Sequence, residues 1–239
     1  NLAARENMLH ASCLAGMAPA TNLFAAPGAG GDSEREYYEW RSYSVASGPK
    51  EEALDAFLAG AAIPAWNRLG IKPVGVFREM ESESPTRHAL LAHPSLETVV
   101  EAGYRLLSDE KFLEAGAAFL NAPKNDPAFE RIESTLMIAF SRMPKLVVPE
   151  KKPSRIFELR RYESHSEKFG AKKVEMFNEG GEIDIFLSTG LTPVFFGETL
   201  IGTMLPNLTY MLVFDDMADH DADWAAFQKS PGWIELKDK

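Results

Sequence analysis

The chain has 239 residues, 45% of them hydrophobic, enough for one large domain or two small ones with a core of ordinary size. Its 35 acidic against 25 basic residues leave a net charge of -10, which repels phosphate backbones and excludes nucleic acid or anionic lipid as the main partner. The single cysteine, Cys13, excludes an internal disulfide framework and a cysteine-based zinc site.

Residues 9–26 are small and apolar, follow a lone Arg5, and end in alanines before a glycine-rich stretch at 28–31. That is the layout of an export signal with a short hydrophobic region, so residues 1–35 are expected to be a signal-like segment and linker. A twin-arginine signal would need two adjacent arginines, and a lipoprotein signal at Cys13 would want leucine where His10 stands. The expected location is the periplasm or cell exterior, or the cytoplasm if 9–26 is an ordinary N-terminal arm. The run is too short, and too interrupted by Pro19, for a stable membrane span.

Residues 37–43 alternate aromatic with charged or small side chains at the period of a half-buried strand. A helix follows, because Leu54, Phe57, Leu58, Ala61, Ala62, Ala65, Trp66 and Leu69 recur at three- and four-residue spacing; Pro64 should kink it and Gly70 stop it. Strands are expected at 74–80 and 88–93. A second helical region opens at Pro94-Ser95, with Val99, Val100, Tyr104, Leu107, Phe112, Phe119 and Leu120 on the packed side, and a fourth strand spans 129–143. The order strand, helix, strand, strand, helix, strand is that of a ferredoxin-like βαββαβ unit over 36–146. Residues 147–154, with Pro149 and Pro153, read as a linker.

Residues 155–239 repeat the plan. Glu39-Trp40-Arg41-Ser42-Tyr43 returns as Glu158-Leu159-Arg160-Arg161-Tyr162, and Gly70-Ile71-Lys72-Pro73-Val74 as Gly190-Leu191-Thr192-Pro193-Val194. Two signatures at nearly one offset mark a duplication. Ser164 and Glu167 offer a capping box for the helix, which Gly180-Gly181 interrupt. Residues 209–215 supply the third strand. Carried forward by the same logic, the fourth strand would fall at about position 240. The second repeat is therefore expected to lack its last strand, leaving a sheet edge unpaired, and the chain reads as trimmed at both ends.

The two strand signatures, the Gly-x-x-Pro-Val turns and the run Leu208-Thr209-Tyr210-Met211-Leu212-Val213-Phe214 resemble NIPSNAP-domain proteins over residues 36–239. The resemblance implies an α+β fold of two tandem ferredoxin-like repeats, the dimeric α+β barrel arrangement, closed within one chain or across a homodimer. It also implies roles in vesicle traffic and protein recognition for mitochondrial members, and no settled activity for exported bacterial ones. Cofactor-free monooxygenases and haem-binding enzymes share that fold, which alone assigns none of these chemistries.

No glycine-rich phosphate loop and no G-x-S-x-G elbow occur. Asp219, Asp221 and Asp223 have the spacing that opens an EF-hand loop, but Trp224 replaces its glycine and Ser230 its closing glutamate; the acids suit a helix start instead. His88 and His93, five apart on one strand, fall on opposite faces. No catalytic residue, metal or cofactor is expected.

The ligand-binding candidates are Arg41, Tyr43, Arg160, Tyr162 and His165. Glu39, Arg41 and Tyr43 share one strand face, as do Glu158, Arg160 and Tyr162. Such a face is either a salt bridge capped by a tyrosine or a pocket in which Arg holds an anionic or carbonyl oxygen and Tyr donates a proton, with Trp66, Phe77 and Phe196 as walls. His165 beside Tyr162 is either a helix-entry residue or a base. The expected function is a non-catalytic exported binding or interaction module, with an unknown protein or small molecule as partner. The alternative is a small-molecule enzyme of the cofactor-free oxygenase kind.

Overall fold

The computed structural model describes residues 5–11, 35–80 and 82–237. The elements of the first part are β1 (Arg5–Ala11), β2 (Tyr37–Ser44), α1 (Pro49–Phe57), a π-helical turn (Leu58–Ala62), α2 (Ile63–Arg68), β3 (Val74–Glu79), β4 (Arg87–His93), α3 (Leu96–Leu106), α4 (Glu110–Ala115), α5 (Ala117–Leu120) and β5 (Arg131–Ala139). The second part has β6 (Ile156–Glu163), α6 (Glu167–Asn178), α7 (Glu182–Ser188), β7 (Thr192–Ile201), β8 (Asn207–Phe214), α8 (Met217–Lys229) and α9 (Pro231–Leu236). They gather into two compact units, one of residues 37–136 and one of residues 137–239 together with most of β1.

In the first unit the strand order is β3-β4-β2-β5, with β4 antiparallel to both β2 and β3. That is the ferredoxin-like order, in which the first and third strands are central. The helices cover one face and enclose Leu54, Phe57, Leu58, Trp66, Ile71, Phe112 and Phe119. Phe57 and Phe119 stack with centroids 4.2 Å apart. Burying each such side chain is worth about 1.5–3 kcal/mol. Pro64 does not break the helix, because the π-helical turn just before it widens the backbone where its ring would meet the preceding carbonyls. Gly70 stops the helix with φ +82°.

The second unit has the order β7-β8-β6-β1. Its third and first strands are again central, with β8 antiparallel to β6 and β7. The outer edge of β6, expected to be bare, is paired antiparallel with β1 from Arg5↔Arg161 to His10↔Ile156. A segment from before the first repeat thus occupies the slot of the missing fourth strand, and satisfies backbone groups that an exposed edge would present. β1 takes residues 9–11 of the expected signal; the remainder of that segment, with Cys13, lies outside the described residues. The core is aromatic: Phe177, Phe186, Phe196 and Tyr210 are fully buried, and each ring lies within 6 Å of the other three.

Three local expectations are corrected. Val100, Tyr104, Leu107 and Leu120 are exposed, and α3 packs through Ala102 and Leu106 instead, because its apolar residues form two stripes of which only one meets the core. The capping box does not form: Ser164 donates its backbone N–H to the Pro206 carbonyl, and Ser166, extended, precedes the first turn of α6 without a side-chain cap. The fourth strand of the first unit is shorter than 129–143. The acidic run does begin a helix, with Asp216 accepting the Asp219 N–H at 3.0 Å.

Candidate functional site

The face of β2 turned toward the helices carries Glu39, Arg41 and Tyr43. Arg41 donates from Nε and Nη2 to the two oxygens of Glu39, at 2.9 and 3.0 Å, and from Nη1 to the Tyr43 hydroxyl at 3.4 Å. The guanidinium lies 5.6 Å from the Trp66 ring centroid. Ser134 from β5 donates to Glu39, and fully buried His93, at the end of β4, places Nε2 3.5 Å from the same carboxylate. Burial by itself would raise the Glu39 carboxyl, but His93, Arg41 and Ser134 reverse this and hold it at about 2. Burial pushes the Tyr43 phenol up, partly offset by Arg41.

The second unit builds the same triad with different supports. Arg160 donates to Glu158 at 2.8 Å and to the Tyr162 hydroxyl at 3.3 Å. The Trp224 indole N–H closes the other Glu158 oxygen at 2.8 Å, and the Trp224 ring covers the guanidinium at 4.4 Å. His220 places Nε2 3.6 Å from Glu158 while its ring packs edge-on against Phe214. Register makes Phe214 the counterpart of His93, since Glu39 pairs with Leu91 and Glu158 with Leu212, each two residues earlier. A histidine thus reaches each buried glutamate, once from the third strand and once from the following helix. Lys173, paired with Glu182 at 3.0 Å, covers the Tyr162 and Phe177 rings at 5.5 and 5.0 Å.

The structure therefore joins Arg41 with Tyr43, and Arg160 with Tyr162. His165 stands outside that network: it is exposed, with its ring 4.2 Å from Phe169. Of the proposed walls, Trp66 does lie over Arg41. Phe196 belongs to the aromatic core, and Phe77 stacks on Trp40 on the other sheet face.

Two features went unread in the sequence. On that other face of the first unit, Ser42 Oγ lies 2.9 Å from His88 Nδ1, and His88 Nε2 lies 3.8 Å from Glu79. The His88 ring stacks on Trp40 at 5.2 Å. Burial lowers the His88 pKa, partly offset by Glu79. The pairing Ser42↔His88 across β2 and β4 brings the three groups together, and the spacing in sequence gives no sign of it. In the second unit, a cleft of about 260 Å³ lies between α6 and the β7–β8 hairpin. Its signal was the small pair Gly170-Ala171 on an otherwise ordinary helix face.

Residues 157–239 match the family model named NIPSNAP. The matched stretch is similar to a NIPSNAP domain. It takes in the Arg160–Tyr162 triad, the aromatic core and the cleft. No curated protein sequence matches the chain. Among solved structures, a proposed monooxygenase from Lactobacillus acidophilus NCFM aligns with TM-score 0.54 and 9% identity, over 86% of this chain and 87% of that one. A second proposed monooxygenase, from Fusobacterium nucleatum subsp. nucleatum, aligns with TM-score 0.50 and 9% identity over 84% of each chain. At that identity the likeness shows the fold, and the chemistry has to be argued from the site.

Proposed function

We propose that this chain is a non-catalytic binding module. The observation that carries the reading is that each candidate arginine is already closed on an internal carboxylate and a tyrosine. The space where a substrate would have to sit is filled by Trp66 in one unit, and by Trp224 and Lys173 in the other. A guanidinium that spends its donors on a buried glutamate and a tyrosine of its own strand, with a helix tryptophan against it, is committed to internal partners instead of holding an oxyanion. The test is oxygen uptake and product formation with a panel of phenols and hydroquinones, using wild type and Arg160→Gln. Neither should turn over; oxygen-dependent turnover by wild type that is lost in the variant would overturn the reading. The composition of residues 9–26 supports export of the module, which N-terminal sequencing of the protein from cell fractions tests.

A small-molecule enzyme is the second reading, favoured by Ser42, His88 and Glu79. A neutral imidazole that accepts the serine proton at Nδ1, with Nε2 toward a carboxylate, has the parts of a general base. The same assay on His88→Gln decides it, since turnover by wild type would have to depend on that ring.

A further inference from the structure

We propose that the cleft between α6 and the β7–β8 hairpin binds a small aliphatic cation, a primary amine on a short apolar chain. The inference rests on the binding-module reading and adds the ligand class.

The cleft is built by small residues. Helix α6 turns Glu167, Gly170, Ala171 and Val174 toward it, at spacings of three, four and seven that share one helix face. Gly170 lets the helix close on the loop before β8: a Cβ there would lie 3.3 Å from that of Pro206. Beside that contact, Ala171 and Val174 face Leu205 and Leu208 across open space. The volume, about 260 Å³, lies just below the ~300–1,000 Å³ usual for drug-sized ligands and suits a short chain.

Its polarity selects the charge. Among the described residues no lysine, arginine or histidine lines the cleft, whereas Glu167 and Glu198 both do. Among the described residues neither carboxylate has a hydrogen-bond or ion-pair partner. Glu198 is the informative one: it pairs with Leu208 on the helix-facing side of β7, two residues after fully buried Phe196, where an apolar side chain would be expected. A carboxylate on that face needs water or a cation as its partner. Leu205, half exposed at the mouth, with Ile201 and Met204 exposed on the same hairpin, gives an alkyl chain an apolar surface to cover.

The experiment is calorimetric titration of the full chain with n-hexylamine, hexanol and hexanoate. Hexylamine should bind about tenfold more tightly than hexanol, as expected for one charge-assisted contact. Hexanoate should bind most weakly. Ala171→Trp should remove binding of all three, and Glu198→Gln should bring hexylamine down to the level of hexanol; thermal melts of both variants confirm that they fold. Hexanoate binding as tightly as hexylamine, an unchanged affinity in Glu198→Gln, or no binding of any of the three would overturn the proposal. Those results leave the binding-module reading standing, since it fails only on turnover in the oxygen-uptake assay.

Discussion

Trp224 donates its indole N–H to Glu158 over 2.8 Å and lays the same ring over Arg160, so one side chain serves both charges of a buried pair. Glu158 is fully buried, and an acceptor that loses a donor in such a place keeps its desolvation cost. Trp224→Phe keeps a ring for Arg160 and removes only the N–H donor and part of the volume. It should cost about 1–3 kcal/mol, read as a lower urea midpoint at unchanged slope.

Glu39 gives the first unit a pH dependence of known sign. Its carboxyl is held at about 2 in the folded chain, against an ordinary value of 4.5. The unfolded chain therefore takes up the proton first as pH falls. The contribution is complete above about 4.5 and is lost on the way down toward 2; a shift of that size corresponds to stability on the order of 3 kcal/mol. Urea midpoints between pH 6 and pH 3 should fall less steeply for Glu39→Gln than for wild type, although the variant starts lower.

The strands and the duplication were legible because a two-residue period and a repeated signature survive without tertiary information. So did the helix stops, since Gly70 and Gly190 both occupy positive φ. What was not legible depended on register or on distant segments. Nothing local in 5–11 announces that it will complete the second sheet beside Ile156–Glu163. The triads were read correctly as Glu, Arg and Tyr on one face, but the residues that close them, His93, Ser134, Trp224 and His220, come from strands and helices that only the fold brings near. Ser42 and His88 are 46 positions apart and meet through strand pairing alone.

His88 should titrate below its ordinary value of 6.5, because burial opposes its charged form more than Glu79 favours it. Removing the carboxylate leaves burial unopposed, so Glu79→Gln should move the midpoint lower still. Proton NMR of the imidazole across pH 4–8 reads both. For stability the sign is fixed: the unfolded chain protonates first below 6.5, so His88 lowers stability progressively on acidification from that point. A midpoint that rises in Glu79→Gln would mean that the carboxylate does not face the ring in solution.

Gly70 and Gly190 end equivalent helices at φ +82° and +97°, a region that costs an L-residue about 1–2 kcal/mol, yet their surroundings differ. A Cβ at Gly70 meets nothing within 4 Å, whereas one at Gly190 would lie 2.5 Å from Asp223 Oδ1. Gly70→Ala should therefore show the backbone cost alone. Gly190→Ala should lose more, because Asp223 must swing aside from α8. Adding Asp223→Ala to Gly190→Ala should restore the loss to about the Gly70→Ala level, measured as urea midpoints of the three variants against wild type. Equal losses in the two single variants would show that the Asp223 carboxylate yields at no cost.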